Sequence, residues 1–561
     1  MRLLVSILAA LICSASAQDR SQARSMTITQ RGIVATAQTL ASQAGAQVLA
    51  RGGSAVDAAI ATNAVLGLVE PMMNGIGGDL FALIWDAKTG KLDGINASGW
   101  TPKGLTIDFL KKKGYAEIPG HSIHAVSVPG CVRGWDALHK RYGRLPWRDL
   151  FAPAIYYAEN GFPVTELIQW DWEHSSSQLD EDARRIYFPG GKVPQVGQVF
   201  RNPELAHAYR LIAQLGAAAF YSGPIGETIL KTSQRLGGTM TADDLREYEP
   251  EWVEPISTSY RGWKVSELPP NGQGIGALTM LNIVENFPIS DYGPNSADAL
   301  HVKIEAQKLA TQDTRRYVGD PRFATIPVEG LLSKEYAKER AKLIDMQKAN
   351  CDAQPGTPPA HGNTTYFSVV DKDGNIASWI QSISDIWGSG IAVEGMGFIL
   401  HDRAGGFVTD PSNPNALAPR KRPYHTIIPA FMEKGSEHIG FGIMRGSNQP
   451  QAQMQFVSNV VDYGMNIQAA LEAPRFTRLY LGGCNVYIEN RVPEMVREEL
   501  TKRGHDLTVV GDFSGWMGGG QAVLHDSGAR VNYGASSPRK DGAAIPEPDP
   551  YFSAPRPKAK P

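Results

Sequence analysis

The chain has 561 residues, 42% of them hydrophobic, with 55 Lys and Arg against 57 Asp and Glu. That length supports a large buried core and, taken alone, two or more domains. The near-balanced charge shows neither the basic stripe of a nucleic-acid binder nor the acidic run of a solvating tail.

Residues 1–17 read as a secretory signal. Arg2 supplies the positive start, Leu3 to Ile12 is apolar apart from Ser6, and Ala15-Ser16-Ala17 forms a cleavage site. The apolar run is too short to span a bilayer as a helix, and no later stretch is long enough either. Cys13 raises the lipoprotein alternative, but Leu11 and Ile12 before it are larger than such a site usually shows. The mature chain is therefore expected to start at Gln18, in a periplasm or outside the cell, and off the membrane. Cys131, Cys351 and Cys484 would remain. They match no zinc or redox spacing and read as buried thiols, at least one of them unpaired.

From Gly32 strand and helix alternate. Ile33 to Ala35 is a short strand, and Ala37 to Arg51 a helix stopped by Gly52-Gly53. Ser54 caps the next helix, Ala55 to Val69, which ends before Pro71. Gly75, Gly77 and Gly78 turn into a strand from Leu80 to Asp86, and Thr89-Gly90 turns back into another. The run GIGGD lacks a following Gly-Lys-Ser/Thr, so it reads as close backbone packing, not a phosphate cradle. His121 and His124 form an HxxH pair that nothing nearby completes, so no metal is expected. Residues 105–350 are mostly helical by pattern, without repeat or border.

A Pro/Gly-rich segment, Pro355 to Gly362, runs into a strand from Thr365 to Val370 rich in β-branched and aromatic residues. Asp373-Gly374-Asn375 makes a turn, and Ile376 to Ile383 follows as a second strand. The plain reading is a surface hairpin. The chemical reading starts from the threonines: a hydroxyl is a weak nucleophile without a base, and an N-terminal threonine carries one in its own α-amine. A cut between Asn363 and Thr364 gives Thr364 that amine. Chemistry alone does not choose between Thr364 and Thr365. Further on, Ser537 to Lys540 has the form of a Ser-x-x-Lys pair, set aside because Pro538 disfavours a helix there. Prolines at 546, 548, 550, 555, 557 and 561 mark 541–561 as a tail expected to be disordered.

The stretch GNTTYFSVVDKDGNIASWIQSIS, followed by WGSG, resembles the precursor junction of the γ-glutamyltranspeptidase family of N-terminal-nucleophile hydrolases. The resemblance continues upstream in GIVATAQTLASQAGAQVLARGGSAVDAAIATNAVLGLVEP and GIGGDLFALIWDAKTGK. It continues downstream in NALAPRKRPYHTIIPAF, DYGMNIQAALEAPRF and MGGGQAVLHDSGARVNYGASSPRKDG. It implies an α+β, four-layer αββα sandwich. A self-cleaved precursor would give a large subunit (18–363) and a small one (364–561) that together form the heterodimer. It makes Asn363–Thr364 the autocleavage bond, Thr364 the nucleophile and Ser382 its supporting hydroxyl.

The family's Gly-Gly oxyanion hole matches Arg445-Gly446. Backbone donors survive that change, but Arg there needs a backbone angle that tolerates Cβ. In the γ-glutamyl pocket the matches are Ser384 for an asparagine, Arg403 for a glutamine, Gly406 for the aspartate that binds the α-amine, and His425 and Thr426 for paired serines. No arginine occurs across Asn96 to Trp100, where the family binds the α-carboxylate. Losing both charge partners of a zwitterion costs about 2–5 kcal/mol per desolvated pair.

The resemblance therefore implies an exported amide hydrolase or acyltransferase acting on a γ-glutamyl or related small acyl amide, with no cofactor. The alternatives are an amidohydrolase or acylase of oxamate or cephalosporin type, and an inactive exported scaffold. Arg403 and Arg445 are new charges, and one of them is expected to bind a carboxylate on the acyl part. The plain alternative is that both face solvent.

Overall fold

A computed structural model describes residues 22–175, 178–353, 363–479 and 482–552; Asn363 and Thr364 are described as strand backbone only. The signal segment and the chain beyond Phe552 lie outside these residues.

Two seven-stranded antiparallel sheets stack face to face. The strands that matter most are β1 (Ile33–Thr36), β2 (Asp79–Asp86), β3 (Asn363–Val370) and β4 (Ile376–Ser384). The first sheet runs Ala543–Pro546, β1, β3, β4, β2, Lys91–Ala97, Glu251–Val253. The second runs Thr27–Thr29, Val531–Ser536, Gly520–Asp526, Glu437–Ile443, Ala430–Lys434, Trp263–Glu267, Ile256–Tyr260.

The period-2 alternation of the strands separates two cores. Phe81, Leu83, Tyr366 and Ile380 face inward and meet Phe431 and Val523 of the other sheet. Ala82, Ile84, Phe367 and Trp379 face outward against α1 (Thr39–Ala50) and α2 (Ala55–Val69). On the far side, helices such as α3 (Gly274–Val284) and α4 (Asn448–Val461) cover the second sheet. The result is the expected four-layer αββα sandwich.

Helix α2 is buried along its whole length, which its near-absence of polar side chains allows. It begins with a reciprocal cap: Ser54 N–H donates to Asp57 Oδ2 (2.9 Å) and Asp57 N–H to Ser54 Oγ (3.1 Å). Asn63 Oδ1 accepts from the indole N–H groups of Trp135 (2.9 Å) and Trp379 (3.0 Å), tying the helix to β4. GIGGD acts by close packing, as expected. A Cβ on Gly77 would sit 2.1 Å from the Ile399 carbonyl oxygen, and one on Gly78 2.2 Å from that of Ser382.

Three expectations need correction. The region after Asp541 is not all disordered: Ala543–Pro546 pairs with β1, and a short 3-10 turn covers Pro550–Phe552. Cys351 and Cys484 are joined in a disulfide, and Cys131 is the one buried free thiol among the described residues. The mostly helical middle also contains the strands Glu251–Val253, Ile256–Tyr260 and Trp263–Glu267, which place the large-subunit region in both sheets. Among the described residues no helix is long and apolar enough to cross a membrane.

Candidate active site

The site lies where β3 begins and β4 ends. Asn363 pairs with Ser384 and Thr365 with Gln381, with a shift of register between them. Thr364 thus stands at an irregularity, across from the two residues Ser382 and Ile383, which is the pattern of a β-bulge. Thr365 is engaged elsewhere: its buried hydroxyl donates to Glu70 at the end of α2 and accepts from Asn74 Nδ2 (3.4 Å).

Ser382 is fully buried and held from two sides. Its Oγ accepts the Ser384 N–H (2.8 Å) and Arg403 Nη2 (3.2 Å). Arg403 Nη1 donates to Thr426 Oγ1 (2.8 Å). Arg403 is 2% exposed, so it does not face solvent. It bridges two hydroxyls of the site, and its buried Nε keeps no hydrogen-bond partner among the described residues.

Asp79 organises the floor. It opens β2 directly across from Ser382. Its Oδ1 accepts the N–H groups of Gly99 (2.9 Å) and Gly130 (3.3 Å). Its Oδ2 accepts from His425 Nε2 (2.9 Å) and lies 3.5 Å from His401 Nδ1. Burial pushes the Asp79 carboxyl up, but His401, His425 and Arg403 outweigh it and hold the group below its usual range. Burial, with Arg403 nearby, lowers His425 to about 3, so it is a neutral donor to Asp79 and not a base. Its Nδ1 accepts from the Ile427 N–H (3.4 Å), which fits that tautomer. Asp402 and Asp385 sit behind Ser384. Burial and Asp385 raise Asp402 to about 7, and burial raises Asp385 to about 6.

Arg445-Gly446 follows the strand Glu437–Ile443 and precedes α4 (Asn448–Val461). Arg445 has φ +92° and Gly446 φ +45°. Two successive residues of positive φ thus form the turn that leads into the helix N-terminus, at the position matched to the oxyanion hole. The departure from Gly-Gly is thus tolerated at the cost of a left-handed conformation at a non-glycine residue, typically about 1–3 kcal/mol. Gln273 ties this loop to the 425–426 segment: its Nε2 donates to the carbonyls of Thr426 (2.7 Å) and Gly446 (2.9 Å). Arg445 is half-buried; its guanidinium stacks 4.2 Å from the Trp516 ring centre and Nη1 donates to the Gly515 carbonyl (3.1 Å).

Two spaces flank the loop. A tight one of about 40 Å³ is bordered by Gln273, Arg315, Gly406, Tyr424 and Ser447. A larger one of about 290 Å³ is bordered by Met73, Trp170, Asp171, Arg445, Trp516 and Lys540. Lys540, from the Ser-x-x-Lys stretch, belongs to this wall; it contacts Asp171 and lies 3.1 Å from Glu70. Burial pulls its ammonium down, but the two carboxylates hold it above the ordinary lysine range. Ser537 instead accepts from the Arg539 backbone N–H (3.4 Å) and guanidinium (3.3 Å) in a structural turn. The sequence reading missed Asp79, His401, Glu70, Asp171 and Lys540. Glu70, Asp79 and Lys540 stood inside quoted motifs; His401 and Asp171 carried no local signal.

His121 Nδ1 donates to the Gly388 carbonyl, and His124 packs against Phe109 and Tyr115. His301, Glu305 and His505 cluster elsewhere, but His301 Nδ1 and His505 Nε2 share a hydrogen bond (2.8 Å) and Lys308 Nζ lies 2.6 Å from Glu305. The ammonium already supplies the positive charge a cation would bring.

The γ-glutamyltranspeptidase family model matches residues 41–547. The chain belongs to the γ-glutamyltranspeptidase family. Among its curated relatives, a glutathione hydrolase-like YwrD proenzyme of Bacillus subtilis is 38% identical, over 90% of this chain and 96% of its own. An oxamate amidohydrolase proenzyme of Klebsiella pneumoniae is 32% identical over 93% of this chain and 99% of its own. Among solved structures, a cephalosporin acylase from Bacillus halodurans superposes with a TM-score of 0.88 at 42% identity, covering 93% of this chain and 97% of that one. Family membership makes the chain an amide hydrolase or acylase of the N-terminal-nucleophile kind.

Proposed function

We propose that this protein is an exported, self-processing amidohydrolase whose nucleophile is Thr364 and whose acyl specificity has moved away from the γ-glutamyl group. The observation that carries the reading is the bulge that sets Thr364 across from Ser382, a hydroxyl fixed by the Ser384 N–H and Arg403. The engagement of Thr365 by Glu70 favours the first threonine.

In this reading the Asn363–Thr364 bond is cut and Thr364 gains a free α-amine. Its Oγ attacks the amide carbonyl, the α-amine takes the hydroxyl proton, and the N–H groups at Arg445 and Gly446 hold the oxyanion. The proton passes to the departing amine as the C–N bond breaks, leaving an acyl ester on Thr364. Water then attacks the ester, gives its proton to the α-amine, and releases the acid.

The shift of specificity is supported by the pocket. Gly406 offers no carboxylate for an α-amine, and its carbonyl accepts from Asn415 Nδ2 (2.7 Å). Asn96 is turned inward, donating to Asn271 Oδ1 (2.7 Å). Glutathione hydrolysis remains the second reading, supported by the likeness to the glutathione hydrolase-like YwrD proenzyme.

Reducing denaturing gels and N-terminal sequencing of purified protein test the cut: two pieces, the smaller starting at Thr364, are expected, and a single piece from Thr364→Ala. A panel holding glutathione, glutaryl amides and oxamate then tests the acyl group, with glutathione turned over least. An uncut wild-type chain without amidase activity removes the reading and leaves an inactive scaffold. Glutathione as the best substrate moves the second reading to the front.

A further inference from the structure

The cavity on the Arg445 side of the loop has an unusual wall for a soluble protein. Three large aromatic residues border it while staying open to solvent: Trp170 is 50% exposed, Trp516 44% and Phe513 38%. Met73, Leu167 and Met444 complete the apolar lining. Concave sites lined this way, with a few placed polar groups, are the usual form of a small-molecule subsite.

The charged groups on the wall differ in what they have left to bind. Arg539 is held by Glu489 through Nε (2.7 Å) and Nη2 (2.6 Å). Lys540 is shared between Glu70 and Asp171. Arg445 has no carboxylate within ion-pair distance among the described residues. Its Nη1 donates to the Gly515 carbonyl (3.1 Å), and its guanidinium lies over the Trp516 ring, 4.2 Å from the ring centre. A guanidinium stacked by its face keeps its edge donors for an anion.

Direction follows from the loop. The residues at the acyl-head positions, Ser384, Arg403, Gly406, His425 and Thr426, do not border this cavity; Gly406 borders the 40 Å³ space with Ser447. An amide lying over Arg445-Gly446 must send its two halves apart, so the roomier side receives the amine half.

We infer that this cavity is a subsite for the leaving amine, fitted to a flat apolar or aromatic amine that carries a carboxylate, with Trp516 stacking the ring and Arg445 binding the acid. The inference rests on the amidohydrolase reading for its catalytic meaning. Its binding test does not need turnover.

Calorimetric titration of the purified full chain with 3-aminobenzoate is the test, with aniline as the uncharged control. Binding at least tenfold tighter for 3-aminobenzoate than for aniline is expected. Trp516→Ala, at an exposed position that leaves the core intact, is expected to weaken 3-aminobenzoate at least tenfold, and Phe513→Ala serves as a second variant. No binding to the wild type, or equal binding to wild type and both variants, overturns the subsite. A chain that binds and discriminates but cleaves no amide keeps the subsite and removes the amidohydrolase reading. A chain that cleaves amides without binding 3-aminobenzoate does the reverse.

Discussion

At the scale of single residues, the site is built on buried charge that must stay balanced. Arg403 gives donors to Ser382 and Thr426 and stands in the field of Asp79, Asp385 and Asp402. Arg403→Met keeps the volume but removes both donors and leaves those carboxyls without their cation. A loss of about 3–5 kcal/mol is expected, the usual cost of breaking a buried charge set from one side. Thermal unfolding and the appearance of two pieces on a gel check it; a variant that melts and processes like the wild type shows that Ser382 is oriented by something else. The Asp385–Asp402 pair predicts a pH effect of definite sign. Both carboxyls are raised, to about 6 and about 7, so the folded chain holds a proton more tightly than the unfolded one, where such groups titrate near 3.8. Their contribution to stability is full below that value and is lost as pH rises through about 7, at up to about 1.4 kcal/mol per pH unit per group. Asp402→Asn carries no such proton, so its melting temperature should fall less than that of the wild type between pH 5 and 8. Parallel curves would mean that both carboxyls ionise as they do in water.

At the scale of elements, what decides the site is how closely β2 and β4 approach. Gly78 sits where a Cβ would meet the Ser382 carbonyl oxygen at 2.2 Å and Gln381 Nε2 at 2.7 Å. Backbone on the far side cannot give way as a flexible side chain does. Gly78→Ala should therefore cost about 1–3 kcal/mol and slow the appearance of the two pieces by moving Ser382. Gly120→Ala, which meets nothing within 4 Å, is the control. Equal melting temperatures for the two variants would mean that β4 yields freely. The elements of this core were legible because their signals are local. The capped, apolar α2, the Gly-rich turn leading into the apolar run of β2 and the Asp-Gly-Asn turn between β3 and β4 each show in a short window of sequence. The strands Ile256–Tyr260 and Trp263–Glu267 were not, because half of each faces outward and Ser, Thr and Lys dilute the apolar alternation. The wall of Glu70, Asp171 and Lys540 was not legible either. Asp171 and Lys540 lie 369 residues apart, and they meet where the helix Glu166–Glu173 docks on the 540–541 segment, Asp541 accepting from the Leu167 and Ile168 N–H groups. Arg403 shows the limit of matching by position: its charge was legible, and its burial between two hydroxyls was not.

At the scale of the whole molecule, the disulfide crosses the proposed cut. Cys351 precedes Asn363 and Cys484 follows Thr364, so hydrolysis of that bond leaves the two chains covalently joined. The attachment is made on ordered structure: Ala349 N–H donates to the Arg503 carbonyl (2.7 Å), and Lys308 Nζ donates to the Asn350 carbonyl (2.9 Å). Non-covalent association is extensive in any case. In the first sheet, β1 from the upstream piece lies between Ala543–Pro546 and β3, both downstream. The bridge therefore adds little to assembly of the folded protein and acts on unfolding. With it intact, the two pieces separate from their fold as one molecule, so the melting temperature should not depend on protein concentration. With Cys351→Ser, unfolding releases two chains, mass action applies, and the melting temperature should rise with concentration. On denaturing gels the processed wild type should run as one species without reductant and as two with it, while processed Cys351→Ser runs as two in both. Two bands from the unreduced wild type would show that the cysteines stay as thiols. The concentration series then remains informative, because wild type and variant should both drift with concentration, as an unlinked pair of chains must.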